Sequence, residues 1–185
     1  VLLGLSSVPA TYVPPGHPLY DPALSAIPYD PAAGNLLLEQ AGWRDLDGDP
    51  LTPRQAWGIT NIDNGTLFRV SYLTTGAAQR LQVSRLVAEG LAGCGIEVSL
   101  EMLDQTELYA PGPEGPLFGR AFELAEYAMG STGIEPPCEW YTSAEIPAEG
   151  NDWVGTNLSG YSSPVFDGLC ATARQSLPDE PAYGE

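Results

Sequence analysis

The spacing of apolar residues changes twice between Phe68 and Met102. Phe68, Val70 and Tyr72 alternate with Arg69 and Ser71, a two-residue period that predicts a strand over Phe68–Leu73. From Ala77 to Gly93 the period lengthens. Val83, Leu86, Val87, Gly90, Leu91 and Cys94 recur three and four apart, while Arg80, Arg85 and Glu89 fall off that stripe. This predicts a helix of roughly five turns. Ile96, Val98, Leu100 and Met102 then share one face against Glu97, Ser99 and Glu101, so a second strand follows over Ile96–Met102. Strand, helix and strand make a βαβ unit with parallel strands and a right-handed crossover.

Other elements are signposted by their ends. In YDPAAGNLLLEQAGW, Asp30 suits the N-cap, Pro31 the first helical position and Gly42 the left-handed residue past the last turn. Leu36, Leu37 and Ala41 supply the apolar stripe of that helix. The glycine- and proline-rich APGPEGPLFG leads into a third strand near Phe122–Tyr127. Pro164–Gln175 reads as a final helix with Phe166, Leu169, Cys170 and Ala173 on one side. Residues 1–28 read as an extended segment and residues 29–185 as an α/β region. The fold class is α/β, with extended loop-rich segments around the βαβ unit.

Composition narrows the possible functions. The chain has 185 residues, 43% of them hydrophobic, with 21 glycines and 18 prolines, enough for a real core and many loops. Only seven basic residues face 24 acidic ones, a formal charge of −17, which argues against nucleic acid and anionic membranes as partners. No apolar run reaches the ~18–20 residues needed to cross a bilayer. VLLGL at the start is too short for a signal core, and both ends read as a piece cut from a longer protein. Cys94, Cys138 and Cys170 lack the close pairs of zinc sites, and His17 is the single histidine. Glycine-rich phosphate loops and nucleophile-elbow motifs are missing, so the expectation is a protein with no cofactor and no chemistry of its own. A carboxylate pair of Glu135 with Asp104 is the enzymatic alternative. Asp45, Asp47 and Asp49 have the alternating-oxygen spacing of a calcium loop, but Ala56 stands at its distal glutamate position. They make the rival reading a calcium-stabilised extracellular structural or adhesion domain.

Four stretches in order carry a resemblance. VPPGHPLYDPAL, YDPAAGNLLLEQAGWRDLDGDPL, GCGIEVSLEML with FELAEYAMG, and NLSGYSSPVFDGL together resemble extracellular solute-binding protein family 5, the peptide-, nickel- and oligosaccharide-binding subunits of ABC importers. The resemblance implies a periplasmic-binding-protein type II-like lobe, with residues 1–185 forming part of the C-terminal lobe of a bilobal clamp. It implies a substrate-binding component that captures peptides or similar small solutes in an interlobe cleft. It also implies a membrane permease partner, a monomeric state, and an extracytoplasmic protein held to the membrane as a lipoprotein. Met129 stands where the family usually has tryptophan. Gly130, Ser131 and Thr132 follow, with neutral Thr132 where some peptide binders place an aspartate for the ligand amine, a role Glu135 could take. Asn157 and Tyr161 match the loop that reaches the cleft. Tyr127, Trp140 and Trp153 are read either as packing or as ligand platforms.

An extracytoplasmic setting allows disulfides. The expectation is then a bridge between Cys138 and Cys170, with three free thiols as the alternative, and Cys94 as a free core thiol. One wall of a cleft alone is expected to fold and to bind its solute only at millimolar concentration.

Overall fold

The computed structural model describes residues 8–13, 15–130, 137–177 and 179–183. They form two compact units. The first comprises Pro28–Gln105 and Phe122–Tyr127; the second comprises residues 8–27, Thr106–Ala121 and the described residues from Ala128 onward. Among the described residues, no helix is long and apolar enough to cross a membrane.

The first unit contains α1 (Pro31–Gln40), β1 (Trp43–Arg44), β2 (Gln55–Ala56), β3 (Arg69–Thr75), α2 (Ala78–Ala92), β4 (Glu97–Leu103) and β5 (Leu124–Ala125). Its sheet runs β4-β3-β5, parallel throughout, with Tyr72 opposite Leu100 on one edge and Leu124 on the other. The βαβ unit read from the changing period is present, each strand displaced by one or two residues from its expected limits. Strand β5 is much shorter than Phe122–Tyr127 because a side chain takes over the ladder. The Glu123 carboxylate accepts the Ser71 amide at 2.9 Å and also the Ser71 hydroxyl, so no backbone carbonyl is needed there. Those bonds hold the Glu123 carboxyl below its ordinary pKa.

Helix α1 starts as its signposts predict: Asp30 Oδ1 accepts the Ala33 amide at 3.0 Å, and Pro31 opens the first turn. Its inward face is not the one that hydropathy selects. Leu36 and Leu37 are exposed, while Asn35 and Glu39 turn inward to Arg54. Arg54 is buried and donates through Nη2 to Asn35 Oδ1 (2.9 Å), through Nη1 to Glu39 and the Trp43 carbonyl (3.0 Å), and through Nε to the Cys94 carbonyl (2.9 Å). Its own amide bonds the Gly95 carbonyl at 2.8 Å, and its carbonyl accepts from Phe68 at 2.8 Å. Gly95 is required here. Its φ is +71°, and a Cβ would lie 2.7 Å from Arg54 Cγ. One residue thus ties α1, the α2–β4 turn and the start of β3. Arg54 and the Asp45 amide also hold the Glu39 carboxyl below its ordinary pKa, with the Asp45 amide the larger cause.

The connector read as a polar turn forms the antiparallel pair β1–β2, Trp43 opposite Ala56, and Trp43 stacks on Phe68 with centroids 4.0 Å apart. Cys94 is a free thiol but not a core one. It is half-buried and lines an open groove of about 500 Å³ between α1 and α2, together with Tyr29, Val83, Leu86 and Val87.

A four-residue helix, α3 (Gln105–Leu108), follows β4. The second unit is loop-rich. Short 3-10 turns at Pro137–Tyr141, Ser143–Glu145 and Glu149–Asn151 precede α4 (Pro164–Gln175), which spans the residues predicted for it. Ser163 Oγ caps α4 by accepting the Phe166 amide at 3.3 Å. Cys138 and Cys170, the latter within α4, are joined by a disulfide and both buried, and Arg174 pairs with Glu139 at 3.2 Å. Trp153 lies against Gly112, where a Cβ would come within 2.6 Å of its own Cβ. Its ring therefore packs the long loop.

Two outcomes follow. Arg54→Ala lowers stability by about 3 kcal/mol, because it strands two carbonyls, an amide and part of the Glu39 charge. Arg54→Lys recovers little of that, since one ammonium cannot reproduce the fork. Urea unfolding of the three proteins measures both. Thiol titration of the denatured, non-reduced chain finds one reactive group; three would contradict the bridge, which contributes roughly 3–4 kcal/mol.

Candidate functional site

Beyond β5 the chain enters the second unit at Ala128, where its path is set by one phenol. Tyr109 accepts the Ala128 amide at 2.9 Å and donates to the Ala128 carbonyl at 3.2 Å, taking both backbone groups of that residue. Met129 then projects with 36% of its surface exposed, and a Cβ at Gly130 would meet nothing within 4 Å. Among the described residues nothing crowds the backbone at Gly130. Ser131, Thr132 and Glu135 lie outside the described residues. Tyr109 was not singled out from the sequence, because a lone tyrosine before a glycine- and proline-rich loop carries no periodic signal.

The loop Asn157–Tyr161 is built around a buried amide. Asn157 has no exposed surface. Its Nδ2 donates to the Thr142 carbonyl (3.0 Å) and the Tyr161 carbonyl (2.7 Å), and its Oδ1 accepts from Ser159 Oγ (2.9 Å) and the Tyr161 amide (3.2 Å). Every hydrogen-bonding group of its side chain is engaged inside the protein. It shapes the loop and presents Tyr161, which is 48% exposed and edge-on to Phe166 at 5.6 Å. The structure thus brings Asn157 and Tyr161 together. Among the described residues, no hydrogen bond or ring contact joins that pair to Met129 or Gly130.

Behind this loop, Ser143 donates its amide (2.9 Å) and hydroxyl (2.6 Å) to the Asp167 carboxylate. Those two bonds, the hydroxyl first, hold the Asp167 carboxyl below its ordinary pKa. In the sheet unit, Tyr72 is buried and donates to Glu126 at 3.1 Å. Burial first and the Glu126 charge second push its phenol up to about 12.

The acidic turn does not converge on a cation. Asp45 Oδ1 accepts the Gly48 amide (2.8 Å), Asp47 Oδ1 the Asp49 amide (3.0 Å), and Asp49 Oδ1 the Leu51 amide (3.0 Å). Each carboxylate closes its own short turn. Among the described residues, no group of three or more histidine, cysteine or acidic side chains is placed to hold a metal ion.

No protein-family model matches the chain, and no curated protein matches it. Solved structures do. The oligopeptide-binding protein of Thermus thermophilus, complexed with a pentapeptide, superposes with a TM-score of 0.81 at 23% identity over 97% of this chain. NikA from Brucella suis, in complex with Fe(III)-EDTA, gives 0.67 at 19% identity over 92%. DppA of Helicobacter pylori, an ABC transporter-associated periplasmic binding protein in complex with the peptide STSA, gives 0.62 at 20% over 88%. The chain spans only 30%, 31% and 26% of the lengths of these three proteins. It has the mixed α/β, periplasmic-binding-protein type II-like fold of a segment of such binding proteins.

Asn157→Ala destabilises the second unit by about 2–4 kcal/mol, because it removes the four hydrogen bonds of one buried side-chain amide from the loop. Denaturant unfolding reads the loss. An unchanged midpoint would mean that the loop does not depend on this amide.

Proposed function

We propose that the chain is part of the substrate-binding component of an ABC importer and supplies one wall of an interlobe cleft that captures peptides or similar small solutes. The superposition at a TM-score of 0.81 over 97% of the chain carries this reading, because the matched protein is an oligopeptide binder. In it the whole protein is an extracytoplasmic monomer, membrane-anchored, that delivers its solute to a membrane permease and performs no chemistry. The Cys138–Cys170 bridge supports an oxidising compartment. Residues 1–185 belong to the C-terminal lobe. Met129, Gly130, Ser131, Thr132, Glu135 and Tyr161 form the wall, and Asn157 holds the Tyr161 loop in shape.

Affinity in a hinged clamp comes from burying the solute on both sides. With half of the contacts behind a micromolar complex, about 4 of some 8 kcal/mol remain, which corresponds to millimolar binding. Mass spectrometry of small molecules released from the purified full-length protein finds a peptide or comparable solute. Calorimetry of that solute against the 185-residue chain gives a Kd in the millimolar range. An empty full-length protein whose melting is raised by calcium and by no solute would contradict the proposal.

A further inference from the structure

Helix α2 carries an apolar stripe that its packing leaves partly open. Val83, Leu86, Val87, Gly90 and Leu91 recur along one side, yet the buried residue of the helix is Ser84, off that stripe. Leu86 is 56% exposed. The stripe lines the open groove of about 500 Å³ between α1 and α2, within the range of about 300–1,000 Å³ that small-molecule sites occupy. Every residue lining it falls between Pro28 and Cys94, in the sheet unit.

Two glycines let side chains cross this groove. A Cβ at Gly34 of α1 would lie 3.9 Å from Cys94 Sγ, and a Cβ at Gly90 of α2 would lie 3.8 Å from the Tyr29 hydroxyl. Tyr29, just ahead of α1, thus reaches over to α2, although 83% of its surface is exposed. Next to it stands Asp30, the one charged side chain among the described residues that line the groove. Its Oδ1 accepts the Ala33 amide at 3.0 Å, while Oδ2 accepts from no described residue. The charged residues of α2, Arg80, Arg85 and Glu89, fall off the stripe and do not line the groove.

We propose that the α1–α2 groove binds an amphiphilic monocation, an apolar chain ending in an ammonium group. The chain lies along Val83, Leu86 and Val87, and the ammonium sits by the Asp30 carboxylate and the Tyr29 ring. Removing the chain from water against the stripe supplies affinity. Charge supplies the selection, because a carboxylate and the face of an aromatic ring both favour a cation. An anion finds no basic side chain in the groove, and the formal charge of −17 adds to the bias. None of these residues belongs to the solute wall proposed above, so the two readings stand apart.

The test titrates the 185-residue chain, 15N-labelled, with three probes that share one tail: octyltrimethylammonium, octyl glucoside and octanoate, each below its aggregation concentration. Amide shifts at Val83, Leu86, Val87 and Gly90 locate the binding. The cation binds roughly fivefold more tightly than the glucoside, the worth of one exposed charge contact, and octanoate binds weakest. Asp30→Asn keeps the helix cap, since asparagine caps as well as aspartate, and removes the advantage of the cation. Leu86→Gln weakens all three probes. In the full-length protein the cation slows modification of Cys94 by dithiodipyridine, read by mass spectrometry. No shifts at those amides, equal affinity for cation and glucoside, a preference intact in Asp30→Asn, or affinity intact in Leu86→Gln overturns the site. So does a full-length protein in which the cation leaves Cys94 modification unchanged, the result expected if another segment fills the groove.

Discussion

Strand β3 has a hydrogen-bonded partner on each edge, and the rest of the sheet unit depends on that placement. Its seven residues align fully with β4 and, through Tyr72 and Leu73, with β5. A parallel pair needs a long crossover, and α2 supplies it between β3 and β4. Both faces of such a sheet call for cover, which explains why Tyr72, Leu73 and Thr74 are buried in succession. Thr74 tolerates that position because its hydroxyl donates to the Glu126 carbonyl at 3.0 Å. The same carbonyl accepts from Arg80 at 2.8 Å, so the end of β5 is held by side chains where the ladder stops.

A second anchor is polar. Arg54 gathers two carbonyls, an amide oxygen and a carboxylate around one buried guanidinium. Such a centre contributes less net energy than an apolar core of equal volume, but its fork accepts only one arrangement of α1 against the turn at Gly95. In the second unit the corresponding anchors are Asn157 and the Cys138–Cys170 bridge. One fixes a loop by hydrogen bonds and the other ties α4 to the turns before it.

The parts legible in the sequence are those governed by period and by caps. The switch from two to 3.6 and back revealed β3, α2 and β4, the residues at its ends revealed α1, and a one-sided apolar pattern revealed α4. Hydropathy misread the faces of α1 because the buried partner there is an arginine, which draws Asn35 and Glu39 inward and leaves Leu36 and Leu37 outside. It overestimated β5 because Glu123 supplies an acceptor that no backbone pattern announces. The site was legible only in part. Asn157 reads from sequence as a polar loop residue suited to a ligand, and only its burial shows that its bonds face inward. Tyr109 acts through geometry, a phenol across a loop, and spacing along the chain does not carry it.

The central claim is that β3 is the paired, covered strand on which the sheet unit is assembled. Residue-resolved amide hydrogen exchange of the native chain tests it most directly. The account predicts that the amides of Tyr72, Leu73 and Thr74 exchange slowest and open only with global unfolding. Exchange at those three amides as fast as in the Asp45–Thr52 turn would contradict it.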